Sequence, residues 1–350
     1  MYIEKIVKKG EEMNASDIHL TVDQNVIYRV DGDLVQDEEF IVEKPIMNKL
    51  IDELQSMSDR RLKNVDESEV DFSFGFGESR IRGNLYFSVK SPVIALRIIP
   101  RDVRTIDDLG LPKLFRDFCE PDKGLVLVAG PTGSGKSTTL AAMLEYINMR
   151  RQVHMITIED PVEYVFKGQK ALIHQRELGG DTHSFYNGLK YAMRQDPDVI
   201  LVGEMRDSET MELAMTAAET GHLVFSTIHT NSAATTPERI VGVFPPHQQN
   251  QISMQLANTL IAVIYQRLLK RKDGKGRIAV IEIMVVNQAI RNLIREQKFH
   301  QIDSMMQAGG KLGMVTFDDA LIKAYRGGIV TREQVKAFAR DPQSISRRLI

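Results

Sequence analysis

The sequence predicts two α/β domains, a small one at the N-terminus followed by a larger, doubly wound one. From Gly124 onward, short continuous apolar runs ("GLVLVAG", "HMITIED", "DVILVGE", "HLVFSTIHT") alternate with amphipathic helices at 137–149, 184–194 and 208–220. That pattern belongs to a mostly parallel sheet covered on both faces. Upstream, "VDFSFGFG", "SRIRGNLYFSV" and "VIALRIIP" show the period-two alternation of half-buried strands. A chain of 350 residues, 43% of them hydrophobic, has the material for about two such cores.

In chain order, "MYIEKIVKKGEEMNASD" reads as a short charged helix without the apolar centre of a signal peptide. "VIYRVDGDLV" places two apolar runs around Asp31-Gly32, a hairpin signal, and a helical stretch follows from Pro45 to about Val65. The small domain is expected over 1–100. "PRDVRTIDDLGLP", with prolines at both ends and several charges, gives a linker at 101–112. The sheet-bearing core is expected over 113–285, ending in a long helix after 245 and a hairpin turning at Asp273-Gly274. A helical region over 286–350 completes the chain.

Composition narrows the function. Forty-five basic against 47 acidic residues leave no global cationic field for nucleic acid or anionic lipid. Cys119 is the single cysteine, which rules out intramolecular disulfides and a multi-cysteine zinc site and suits a reducing interior. The longest apolar segments, such as "LIAVIY" at 260–265, fall far short of the ~20 residues that span a bilayer. Membrane contact is therefore expected only through partners.

The chemistry lies in "GPTGSGKST", whose residues are Gly130, Pro131, Thr132, Gly133, Ser134, Gly135, Lys136, Ser137 and Thr138. This G-x-x-x-x-G-K-[ST] run follows a buried-type strand and opens a helix, as a phosphate-binding loop must. The glycines let successive N–H groups curl around phosphates, Lys136 reaches the β- and γ-phosphates, and Ser137 is a ligand for Mg²⁺. The next strand ends in "EDPVE", so Glu159, Asp160 and Glu163 stand at the carboxyl end of the sheet, where ligands bind. Glu163 is the expected base that polarises water, and Asp160 reads as a cap. "DVILVGEMRD" places Glu204 where a P-loop enzyme usually has the aspartate that holds Mg²⁺ through water. His222 and His229 flank the following strand, and a histidine at a strand's carboxyl end is placed to sense the γ-phosphate.

Together "ASDIHL", the phosphate loop, "TIEDPVE", "DPDVILVGEMRD" and "TGHLVFSTIHT" resemble the secretion-type ATPase superfamily, in order and spacing over essentially the whole chain. "VGEMRD" with "AIRNLIRE" narrows the resemblance to the type IV pilus retraction ATPases. It implies an N-terminal PAS-like domain and a C-terminal RecA-like ATPase domain, assembled as a homohexameric ring. It also implies ATP and Mg²⁺ as cofactors and a cytoplasmic location at the inner membrane, where a platform protein of the pilus machine and a paralogous retraction ATPase are the partners. The acidic-box glutamate falls on Glu163, the Walker B glutamate on Glu204, and the histidine box on His222 and His229. Arginines of the N-terminal domain complete such sites, and Arg80, Arg82 and Arg97 are available, with Arg82 and Arg97 preferred. Extension ATPases of the superfamily normally carry extra N-terminal domains and a four-cysteine metal site, for which this chain has no room.

One alternative is the accessory retraction paralogue, which "NSAATTPERIVGVFPPHQQNQ" and "LLKRKDGKGR" resemble, although the intact "AIRNLIRE" favours the principal motor; the other is a DNA-translocating ATPase, disfavoured by near-neutral charge and by the lack of basic-aromatic interleaving. A ring that binds ATP without turnover is disfavoured by the complete set of Lys136, Glu163 and Glu204. "AIRNLIREQK" at 289–298 reads as an amphipathic helix with Asn287 as its N-cap. Ile290, Leu293 and Ile294 are expected to pack inward, with Arg291 and Arg295 meeting a partner or a neighbouring element.

Overall fold

In the computed structural model of the chain, residues 1–30, 32–58, 69–77, 79–99 and 103–348 are described. Asp31 of the expected hairpin turn, residues 59–65 of the expected helix and 100–102 at the linker lie outside them. The chain divides into two units, Met1–Val103 with Glu163–Val165, and Arg104–Val162 with Phe166–Ile350.

The first unit runs α1 (Tyr2–Glu12), β1 (Asp17–Thr21), β2 (Asn25–Val30), β3 (Asp33–Ile41), α2 (Lys44–Met57), β4 (Glu69–Phe76), β5 (Ser79–Ser88) and β6 (Ser91–Ile99). Its six strands form an antiparallel sheet in the order β3-β2-β1-β6-β5-β4. The period-two pattern works as read: Ile18, Leu20, Val26, Tyr28, Phe72, Phe74, Ile81 and Ile94 point to one face and bury themselves against Ile3, Ile6 and Val7 of α1 and Met47, Leu50 and Leu54 of α2. The Glu53 carboxylate accepts the first free N–H groups of α1, from Tyr2 (3.0 Å) and Ile3 (2.9 Å), placing negative charge at the positive end of that helix.

The second unit runs α3 (Leu114–Asp117), β7 (Gly124–Ala129), α4 (Lys136–Arg150), β8 (His154–Glu159), β9 (Leu172–Glu177), α5 (Phe185–Ala192), β10 (Val199–Val202), α6 (Ser208–Glu219), β11 (Leu223–Ile228), α7 (Thr236–Gly242), α8 (Pro246–Thr259), β12 (Leu260–Lys270) and β13 (Arg277–Val285). It ends in helices α9 (Gln288–Arg295), α10 (Ile302–Ala308), α11 (Phe317–Arg326), α12 (Arg332–Phe338) and α13 (Pro342–Arg348). Seven strands lie in the order β13-β12-β7-β11-β10-β8-β9. All pairs are parallel except the β12–β13 hairpin, which turns at Gly274 (φ +74°) and Gly276 (φ +77°).

Both faces of the central strands β7, β10 and β11 are buried, which is why their sequences are mostly apolar runs. Leu125, Leu127 and Ala129 of β7 face one core with α5, α6 and α8, while Val126 and Val128 face a second with α4. The fold class is the expected mixed α/β pair. The first of these cores continues without a break through Ile290, Ile294, Ile302, Met306, Leu321 and Ile345, so the C-terminal helices share the sheet's core. Among the described residues no helix is long and apolar enough to cross a membrane.

Helix α9 is capped by Asn287, whose Oδ1 accepts the Ile290 N–H at 2.9 Å. Ile290 and Ile294 are fully buried, and Leu293 packs partly against the same core. Arg291 turns to a neighbouring element: its Nη1 donates to the carbonyls of Ala257 and Asn258, both at 2.8 Å, closing the C-terminal end of α8. Arg295 reaches the Asn258 side chain at 3.4 Å. Removing a cap of this kind costs about 1 kcal/mol. Arg291→Ala is expected to lower unfolding free energy by about that amount in urea titration, and Arg291→Glu by more because it sets a carboxylate against helix carbonyls; unchanged midpoints for both would remove the cap from the stability of the unit.

Candidate functional site

The phosphate loop leaves β7 at Ala129 and enters α4 at Lys136, with Gly130, Gly133 and Gly135 at φ +145°, +73° and +86°. A side chain at Gly130 is excluded by contact as well as by dihedral. Its Cβ would lie 2.5 Å from the Gln266 carbonyl oxygen and 2.7 Å from Ser134 Oγ.

Gln266 is the residue sequence reading missed. It lies on β12, 1% exposed, in the register that pairs Tyr265 with Ala129. Its Nε2 donates to the Ser134 carbonyl (2.7 Å) and its Oε1 accepts from Thr139 Oγ1 (2.8 Å), tying the loop to the first turn of α4. A lone glutamine inside "LIAVIYQRLL" was the available signal, since a buried amide needs partners.

Lys136 is largely buried, and its Nζ donates to the carbonyls of Gly130 and Pro131, both at 3.0 Å, so the ammonium is held over the mouth of the loop. Ser134 Oγ is buried and has no hydrogen-bond partner among the described residues. Pro131, Thr132 and Gly133 are exposed, and Ser137 and Thr138 half-buried, at the rim. A loop of left-handed glycines, a buried ammonium and an orphaned hydroxyl fit a polyphosphate.

Two parallel strands bring further groups to the same end of the sheet. Beyond β10, Glu204 is largely buried, with Arg206 Nη2 at 2.7 Å from one carboxylate oxygen and His229 Nε2, from the end of β11, at 3.7 Å from the other. The connecting loops are held by Thr227 Oγ1 donating to the Gly203 carbonyl (2.6 Å) and by the Met205 N–H donating to the Thr227 carbonyl (3.1 Å). Burial holds the His229 pKa below its ordinary value; Lys136 and Arg206 push the same way, and Glu204 opposes them. At pH 7 the lowered pKa favours the neutral ring, so its 3.7 Å approach to Glu204 is there a contact rather than an ion pair. An open cleft of 790 Å³ adjoins, lined by His229, Thr230, Asn231, Thr235, Glu238 and Arg239 among others.

Each of the other expected residues is placed within its own unit. His222 precedes β11, with Nδ1 2.8 Å from the Ala217 carbonyl and its own carbonyl bonded to the Gly124 N–H. A six-residue strand separates it from His229, about 20 Å, so within one chain it stands at the end of the sheet away from the loop. Glu163 is exposed and, with Tyr164 and Val165, belongs to the first unit, so the unit that carries the loop does not by itself contain it. Glu159 is buried, accepting from Thr157 Oγ1 (2.6 Å) and Gln175 Nε2 (3.2 Å). In the first unit Ser73, Arg82, Arg97, Asp17 and Arg29 form one cross-strand row on the sheet face turned away from α1 and α2. Arg97 Nε bonds Asp17 at 2.8 Å, and Arg80 Nη2 bonds Ser73 at 2.9 Å.

For a divalent cation the candidates are oxygens, the Ser137 hydroxyl and the Glu204 carboxylate. Among the described residues no cluster of three or more His, Cys, Asp or Glu forms a metal cage. Few protein oxygens beside a phosphate site suit Mg²⁺, which keeps waters and binds substrate phosphates.

The family model of type II/IV secretion system proteins matches residues 1–336. A twitching motility protein of Neisseria gonorrhoeae is 49% identical over 292 residues, 83% of this chain and 78% of that protein. The type IV pilus retraction ATPase PilT of Pseudomonas aeruginosa is 44% identical over 346 residues, 98% of this chain and 100% of its own. A crystal structure of the pilus retraction motor PilT with bound ADP superposes with a TM-score of 0.91 at 45% identity, covering 99% of both chains.

Two outcomes test this geometry. Gln266→Leu leaves the Ser134 carbonyl and Thr139 hydroxyl unpaired, and at about 1–3 kcal/mol per buried orphan it is expected to weaken binding of a fluorescent adenine nucleotide by roughly tenfold or more; equal affinity would remove the brace from the site. Because the His229 pKa is lowered on folding, the unfolded chain binds more protons just below pH 6.5, the ordinary histidine value. Wild type should then lose stability relative to His229→Asn as pH falls from about 7 to about 5, with no such difference above 7. Denaturant titrations across that range measure it.

Proposed function

The chain belongs to the type II/IV secretion system protein family, and on that premise we propose that it is the ATP-hydrolysing motor of type IV pilus retraction, working as a homohexamer. The observation that carries the reading is the meeting of Lys136, Glu204 and His229 around one phosphate loop. The near end-to-end similarity to pilus retraction motors supplies the biological process. In this reading the ring stands on the cytoplasmic side of the inner membrane against a platform protein of the pilus machine, with a paralogous ATPase as a further partner.

The loop N–H groups and Lys136 bind the β- and γ-phosphates, and α4 presents its positive N-terminal end to them. Ser137 and Glu204 would hold Mg²⁺, which when bound would supply neutralisation of phosphate charge. Glu163 accepts a proton from the attacking water as its oxygen bonds to the γ-phosphorus; the bond to the bridging oxygen breaks, and ADP and phosphate leave. Neutral His229 donates its ring N–H to the γ-phosphate side, Arg82 and Arg97 offset the charge that develops there, and His222 braces the turn between α6 and β11.

Glu163→Gln is expected to lower phosphate release by about 10²- to 10⁴-fold while keeping ATP affinity. Lys136→Ala should lose both binding and turnover, and wild-type hydrolysis in that variant would sink the site assignment. In a bacterium lacking its own copy, wild type should restore twitching, whereas Glu204→Ala should leave unretracted surface pili. Loss of pili in the Glu204→Ala strain would instead contradict retraction.

A further inference from the structure

We infer that Arg340 and Glu282 are positioning residues for His229, an inference that rests on the role given to His229 above. Glu282 sits on β13 with no exposed surface, and its two carboxylate oxygens take Arg340 Nη1 at 2.6 Å and Nη2 at 2.8 Å. The pair is not closed on itself. Glu282 Oε2 also accepts the N–H of Ala233 (2.8 Å), and Arg340 Nη2 donates to the carbonyl of Asn231 (2.8 Å). Two backbone groups of the segment that follows β11 are thus fixed by one fork of hydrogen bonds from residues 49 and 109 positions away in sequence.

The anchor is itself held. The guanidinium lies over the rings of Tyr265 and Phe317, at 5.2 and 5.3 Å from their centroids. Asp318 accepts the N–H groups of Arg340 (2.9 Å) and Asp341 (3.0 Å). On the other side of His229, Thr227 is tied to Gly203 and Met205. The imidazole therefore rides on a short span between two fixed points, Thr227 and Asn231, and these set its 3.7 Å approach to Glu204.

Stability alone is a poor account of this arrangement. Taking an ion pair out of water costs about what its attraction returns, and a neutral pair of equal volume often serves stability equally well. A bidentate fork with a spare donor and a spare acceptor sets direction, which a lysine cannot reproduce.

The test is a double-mutant cycle on the full chain, reading steady-state ATP hydrolysis and nucleotide affinity for wild type, Arg340→Lys, His229→Asn and the double variant. Arg340→Lys is expected to lower kcat about tenfold with KM within about twofold, because the phosphate loop is untouched while the imidazole is displaced. The double variant should hydrolyse no more slowly than His229→Asn alone. Multiplied losses in the double variant, or wild-type kcat in Arg340→Lys, would overturn the inference. Should Arg340→Lys not fold, Glu282→Gln with Arg340→Met removes both charges at similar volume, and the same non-additivity with His229→Asn is required of it. Unchanged kcat in His229→Asn would overturn the role given to His229 in the proposed function, and this inference with it, whereas loss in His229→Asn with additivity overturns this inference alone.

Discussion

At Gly130 the backbone turns to φ +145° within van der Waals reach of the Gln266 carbonyl, and the rest of the site is arranged around that approach. The approach exists because β12 runs parallel to β7 and brings Gln266 alongside the loop. Only a glycine fits, and with no side chain at Gly130 the loop curls tightly enough for Lys136 to bond back to the Gly130 and Pro131 carbonyls. A loop whose ordering is complete before the ligand arrives loses less entropy on binding than one that must fold around it.

Charge at this end of the sheet follows from strand order. β7, β11 and β10 are adjacent and parallel, so their carboxyl ends deliver Lys136, His229 and Glu204 to one place. Lys136 and Arg206 together with burial outweigh Glu204 in setting the His229 proton, and the ring stays neutral. A neutral imidazole beside a carboxylate keeps one N–H to donate and adds no charge of its own, so the cationic character of the site rests with Lys136 and Arg206.

The features legible in the sequence are local ones. The phosphate loop, the buried strands, the Gly274 turn and the Asn287 cap depend on residues within a few positions of each other, and spacing reports them. The strand β9 escaped because "LIHQRE" is a polar, partly exposed edge strand that carries no apolar run. Gln266 escaped because its partners lie 127 and 132 residues away. His222 and His229 look equivalent in "GHLVFSTIHT", yet a parallel strand has a direction, and only the residue at its carboxyl end meets the loop. Glu163 shows a related limit: "EDPVE" is contiguous in sequence, but Glu159 is bonded inside the second unit while Glu163 belongs to the first.

The motif at 289–296 gains its meaning from the same long-range geometry. Its two buried isoleucines join the core under the sheet, so the helix is part of the body that carries the loop. Arg291 is occupied with the last carbonyls of α8, and α8 passes into β12 with no intervening residue, Thr259 being followed directly by Leu260. β12 is the strand that presents Gln266 to the loop. A cap at one end of β12 and an amide brace farther along it therefore act on one rigid element, and displacing either changes the register that keeps Gly130 against the Gln266 carbonyl. The sequence distance between the motif and the phosphate loop, which is 158 positions from Arg291 to Gly133, is spanned in the fold by a single helix end and a single strand.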